Sequence, residues 1–224
     1  MKTAAICAGV VAASVTWWFV SSARVSVWRA IPIASVALGL VGLALGDVAL
    51  SGSSELAATG RAAERTLGFG LVAGSVVGVV LYLATRAFVW VASRVEPFRR
   101  HTEERYREAA TIGLATAIAL SAATVIGEEL FWRGLVQPTL SSGLADRTGS
   151  PAVAAAAATW GLFVAVNLWS RSLPLVAAAL VGGLVWCLLP LVTGGILASV
   201  VCHLGWTLLM LAFPPRAGRG MMQP

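Results

Sequence analysis

Residues 111–136 read TIGLATAIALSAATVIGEELFWRGLV, and the three charges inside that run, Glu128, Glu129 and Arg133, decide how the chain folds. Everything from Thr111 to Gly127 is uncharged, and apolar residues resume after Arg133 and continue to Val136, just before Pro138. About 20 predominantly apolar residues suffice for a helix to cross the hydrocarbon of a bilayer, so the run predicts a membrane span with charge near its middle. Each such charge costs about 2.5–3.5 kcal/mol on insertion scales, so an unpaired trio would cost on the order of 10 kcal/mol and has to be offset by partners or water. Glu129 and Arg133 stand i,i+4 with the acid first, the favourable order for an ion pair on one helix face. Glu128 lies about 100° further round the helix and has no such partner. Function is the default explanation for ionisable groups at this depth; the plainer alternative is a salt bridge at a helix end, against which the apolar continuation argues.

The rest of the chain fits the same solvent. With 58% hydrophobic and 12% charged residues over 224 positions, it carries too much apolar surface for one water-soluble core. Apolar runs at roughly 4–20, 30–50, 67–92, 111–137, 152–169, 173–191 and 193–212 predict an all-α, polytopic transmembrane helix bundle of about seven spans, six being the alternative count. The pair 173–191 and 193–212 is separated only by Pro190 and Gly194-Gly195, which mark either a tight turn or a kink in one segment. The first run also resembles a signal peptide, with Ser21-Ser22-Ala23 as a cleavage site. Trp17-Trp18 as an interfacial belt and the charges of Arg24 and Arg29 favour an uncleaved helix.

The net charge of +6 sits between the apolar runs, as expected for contact with lipid headgroups, and no basic-aromatic pattern for nucleic acid is present. Seven spans put Arg24, Arg29, Arg94, Arg99, Arg100, Arg105, Arg107, Arg171, Arg216 and Arg219 on one side and Lys2, Arg61, Arg65 and Arg147 on the other. The first side is then cytoplasmic, with the C-terminus inside, in what reads as a bacterial plasma membrane. Residues 94–108, whose acids nearly balance their bases, predict a helix lying on that surface. Cys7, Cys187 and Cys202 lie in apolar runs without CxxC spacing and read as packing residues. The chain divides into N-terminal helices with this amphipathic elbow (1–110), a helical core (111–213) and a short tail (214–224).

An apolar setting beside a second carboxylate makes Glu128 a candidate general base. His203 is the one histidine inside a span, since His101 belongs to the elbow, and it adds to the acid cluster at a similar depth. Glu-Glu-x-x-x-Arg at membrane depth resembles the first signature of the CAAX-protease and bacteriocin-processing family of membrane endopeptidases. The resemblance runs from the fourth helix to the last. It implies a second motif, Phe-x-x-x-His, where this chain has Phe163-Val164-Ala165-Val166-Asn167. It also implies a third, His-x-x-x-Asn or Asp, where the chain has His203-Leu204-Gly205-Trp206-Thr207. By the same resemblance Glu128 activates water for peptide hydrolysis, Glu129 and Arg133 orient structure and substrate, and His203 with Asn167 polarises the bond. Thr207 and Phe163 support the oxyanion. A neutral amide such as Asn167 cannot take a proton near neutral pH, whereas the Thr207 hydroxyl can still donate to an oxyanion.

These expectations amount to a polar cavity enclosed by the fourth, fifth and seventh spans, with water reaching Glu128. The partners implied are the lipid bilayer and a membrane-associated peptide or protein substrate. No cofactor is assigned; one carboxylate and one imidazole fall short of the three protein ligands usual at catalytic zinc, so a divalent metal stays open without support. Two other readings share the residues: a family member that no longer cleaves and instead scaffolds a membrane partner, and a small transporter, for which buried Glu, Arg and His also qualify.

Overall fold

The computed structural model describes residues 1–50 and 67–215; Arg61, Arg65, Arg216 and Arg219, counted above for topology, lie outside the described residues. The described chain is helical throughout: α1 (Lys2–Ser21), α2 (Val27–Leu45), α3 (Leu67–Ala92), α4 (Glu96–Ile112), α5 (Leu114–Phe131), a π-helical turn (Trp132–Val136), α6 (Gln137–Leu144), α7 (Pro151–Leu168), α8 (Leu173–Thr193) and α9 (Leu197–Ala212). Prolines open α4, α6, α7 and α8 in their first turns, where a missing N–H costs nothing.

Among the described residues, six helical stretches are long and apolar enough to cross a membrane: α1, α2, α3, the continuous run 114–144, α7 and α8. The seventh, α9, has 16 residues and reaches only about 24 Å. The tight turn before it is real: α8 ends on Gly194 at φ +74, a left-handed conformation that glycine adopts without strain. The second span is shorter than the 30–50 run. It stops at Leu45, and residues after Gly46 leave the helix to lie along the bundle. Asp47 N–H donates to Gly134 O at 3.0 Å, while Ile196 N–H and Leu197 N–H donate to Ala49 O and Leu50 O.

Helices in lipid gain little from apolar burial, so close approach has to come from small residues. Along α2, Ser35, Gly39 and Gly42 lie directly on α5: a Cβ on Gly127 would stand 2.1 Å from Ser35 O, and one on Gly42 would stand 2.4 Å from Leu130 O. The same device joins α3 to α9, where Gly74 and Gly78 meet the backbones of Ala198 and Cys202.

The charged elbow is α4. Phe98, Thr102, Tyr106 and Ala109 share one buried face, the opposite face carries the pairs Arg99–Glu96 and Arg99–Glu103, and the pair Arg105–Glu108 borders the buried face. It closes one end of the bundle: Tyr106 Oη donates to Met210 O at 3.1 Å, and Leu173 N–H, at the start of α8, donates to His101 Nδ1 at 3.4 Å. Burial pushes the Glu108 carboxyl up, with the nearby Arg105 opposing that shift. At the far end Lys2 and Asp47 pair at 2.7 Å.

Candidate active site

The site begins where α5 gives way to a π turn. Inserting one extra residue rotates Trp132–Val136 relative to an ideal helix, and the turn stays sealed: Trp132, Arg133, Gly134, Leu135 and Val136 are all buried. Gly134 O, four residues before Pro138, which has no N–H to offer it, takes the Asp47 N–H described above.

Glu129 is wholly buried and its Oε1 receives two groups, Arg133 Nη1 at 3.2 Å and His203 Nδ1 at 2.9 Å. Arg133, with a side chain of zero exposure, spends its other nitrogen on α8, donating from Nη2 to Gly183 O at 3.3 Å and to Cys187 Sγ at 3.5 Å. Its guanidinium lies over the Phe163 ring at 5.1 Å, an additional electrostatic contact. His203 is held on a second side by Trp186, whose ring stacks on the imidazole with centroids 3.4 Å apart and planes 16° from parallel.

Glu128 points elsewhere. It lines a cavity of about 500 Å³ together with Phe163, Asn167, Trp186, His203 and Thr207. From there the cavity runs past Thr124 and Ser121 towards Thr102, Arg105, Tyr106 and Glu108 of α4, about 10 Å along the rise of α5. Most of its wall is apolar, from Trp17, Leu81, Phe88, Val89 and Leu175, so the polar cavity expected from three helices is instead an apolar chamber with polar groups at its two ends. Eight helices, α1–α5 and α7–α9, contribute to it.

Every residue singled out from the sequence therefore falls at this one place, but the partnerships differ. His203 bonds Glu129 rather than standing with Asn167. Asn167 turns its Nδ2 onto Phe163 O of its own helix at 2.9 Å, and Phe163 acts as an aromatic floor beneath Arg133. The contribution of α8 was not foreseen: Gly183, Trp186 and Cys187 bear no charge, and the only signal was their i,i+3 and i,i+4 spacing on one helix face. Among the described residues no three His, Cys, Asp or Glu side chains gather as a metal site.

Residues 110–209 match the family model described as Type II CAAX prenyl endopeptidase Rce1-like. This segment is similar to an Rce1-like domain. It covers 100 of the 224 residues and contains the Glu128–Arg133 cluster, Asn167 and His203, while α1–α4 pack around it. No curated protein and no solved structure matches the chain. This similarity and the six long apolar helices among the described residues point to an integral membrane protein.

Proposed function

We propose that the protein hydrolyses a peptide bond in or near the membrane, with Glu128 as the base that draws a proton from water. The observation that carries this reading is the convergence of Glu128, Asn167, His203 and Thr207 on one cavity. A buried ion pair behind them fixes the helices that bear them. The second N–H of the Asn167 amide, the first being given to Phe163 O, and the Thr207 hydroxyl can each donate to a developing oxyanion, an arrangement that typically contributes about 100- to 1000-fold per donor. Glu129 and Arg133 hold the geometry, and the chemistry is written without a metal. The substrate is a membrane-associated peptide or protein whose apolar segment enters between the helices.

Charge favours a cytoplasmic elbow. Among described residues, Arg24, Arg29, Arg94, Arg99, Arg100, Arg105, Arg107 and Arg171 belong to the α4 end and only Lys2 and Arg147 to the other, the bias that sets orientation in a bacterial plasma membrane. The cavity would then be served from the cytoplasmic side.

A second reading rests on Asn167, whose amide nitrogen is committed to its own helix and which cannot relay a proton: a family member that binds membrane partners without cutting them. Cleavage of a lipid-anchored peptide library by the purified protein in vesicles separates the two. The hydrolytic reading expects products from the parent that Glu128→Gln abolishes and Asn167→His preserves or raises. Absence of Glu128-dependent cleavage in folded parent and folded Asn167→His alike would establish the scaffold reading.

A further inference from the structure

The geometry points to a binding site for an anionic phospholipid on the outer face of α3 at its α4 end, with the phosphate held by Arg86 and Arg94 beside Trp90 and the acyl chains along Val79 and Leu83. The site lies outside the Glu128 cavity and stands whether or not the protein cleaves peptides. Arg86 is half-buried on α3, which ends at Ala92, and so lies about 9 Å below that end. A charge at such depth ordinarily meets a carboxylate or reaches the interface. Arg133 has Glu129, Arg105 has Glu108, and Arg99 has Glu96 and Glu103. Arg86 has no acid: α3 carries none, none follows Asp146 anywhere in the sequence, and Glu96, the next along the chain, is taken by Arg99. Among the described residues the guanidinium makes one hydrogen bond, from Nη1 to Tyr82 Oη at 2.8 Å, and lies 5.6 Å from the centre of that ring.

The turn that bears Arg86 is held in place from α9. Tyr82 Oη donates to Phe213 O at 3.0 Å, and Thr85 Oγ1 accepts from Trp206 Nε1 at 3.0 Å. A side chain fixed in this way loses little freedom when a ligand arrives. Val79, Leu83, Arg86 and Trp90 fall within about 60° of arc on the helix, and Val79, Leu83 and Trp90 are exposed. Trp90 stands as an interfacial aromatic. Arg94, in the turn beyond Ala92, sets its guanidinium 4.9 Å from the Trp90 ring centre. From the bilayer centre outwards this face reads apolar, cationic, aromatic and cationic, matching acyl chains first and then a headgroup at the level of the cations.

Charge decides which headgroup fits. Two guanidiniums without a free carboxylate suit a phosphate that is the only charge of its headgroup, as in phosphatidylglycerol, and the planar fork of an arginine can take two phosphate oxygens. A phosphatidylcholine brings an ammonium into the same positive field, which opposes its binding.

The test counts lipids retained by the purified protein in native mass spectra as phosphatidylglycerol or phosphatidylcholine with identical acyl chains is titrated into the detergent. The parent is expected to hold phosphatidylglycerol about 10- to 100-fold more tightly, the range for hydrogen bonds between charged groups. Arg86→Gln should remove most of that preference and Arg94→Gln about fivefold of it, the worth of one arginine near the surface. Arg100→Gln, which removes an exposed arginine of α4 outside this face, should leave the preference within about twofold of the parent, since salt screens distant exposed charges. Equal losses in all three variants would mean diffuse attraction to the basic end of the bundle and would overturn the site, as would equal retention of both lipids by the parent. If inorganic phosphate raises the detergent melting temperature as much as phosphatidylglycerol does, the occupant is a free anion and the lipid assignment falls. Should Arg86→Gln fail to fold, Arg86→Lys and Arg94→Gln decide. Lysine keeps the charge without the fork, so a preference between parent and none is expected there, and parental preference in both variants would refute the site.

Discussion

Replacing Arg133 by Ala perturbs the one group on which the buried site is balanced. The guanidinium has zero side-chain exposure, as does its partner Glu129, so no water stands ready to solvate the carboxylate left behind. Three further contacts go with it: the bonds to Gly183 O and Cys187 Sγ and the cation–aromatic contact with Phe163. Removing one partner of a buried pair typically costs about 3–5 kcal/mol, most of it the unpaired charge rather than the lost attraction. For a chain of this size that predicts a fall in apparent melting temperature on the order of 10 °C, read in detergent from tryptophan fluorescence, of which Trp186 is one reporter. Arg133→Lys should fall between parent and Ala, since an ammonium restores the charge but cannot reach Glu129 and the α8 carbonyl in the same fork. The double variant Glu129→Leu with Arg133→Leu should recover part of the loss, because two neutral side chains leave no buried charge. Equal melting of parent and Arg133→Ala would refute the reasoning, for it would mean that water reaches Glu129.

Other consequences follow from particular contacts. Gly127→Ala, whose added carbon would meet Ser35 O at 2.1 Å, should part α2 from α5 and destabilise by about 1–3 kcal/mol or more, measurable as a lower detergent melting point; an unchanged melting point would contradict the packing. A cysteine at Glu103, on the exposed face of the elbow, should resist an impermeant thiol reagent added to intact cells and react after lysis, and labelling from outside would reverse the orientation. Because burial raises the Glu108 carboxyl, the folded state binds its proton more tightly than the unfolded one. The stabilisation this gives is complete below the unfolded value and is lost as pH rises through the folded one. Glu108→Gln should therefore flatten the decline of stability between mildly acidic and neutral pH, and a parallel decline in both proteins would argue against it.

How far the sequence carried this structure depended on whether a feature announces itself locally. Apolar runs, the elbow and the Glu129–Arg133 pair are local, since each is written in the spacing of neighbouring residues, and apart from some run ends each forms where it was expected. The end of α2 was misplaced because residues 46–50 are apolar enough to read as helix, and only their hydrogen bonds to Gly134 and the start of α9 explain why they leave it. The partnership of His203 with Glu129 joins positions 74 apart, a distance over which no periodicity operates. The apolar character of the cavity is likewise a property of eight helices together.

The π turn and the glycine contacts bear on one requirement. Glu128 and Glu129 are neighbours, yet one must face a chamber and the other must be sealed, and an α-helix separates them by only about 100°. A rigid wall on one side of α5 is needed to hold that division. Gly127 supplies it by laying α5 against the α2 backbone at Ser35 and Gly39. Immediately beyond, the π turn lets Arg133 reach both Glu129 and the α8 backbone. The charges are therefore sorted by backbone packing, and the catalytic use proposed for Glu128 would depend on residues outside the cavity. Loss of the α2–α5 contact should accordingly disturb any Glu128-dependent cleavage even in a variant that still inserts into the membrane, because that contact helps keep the free carboxylate turned into the cavity.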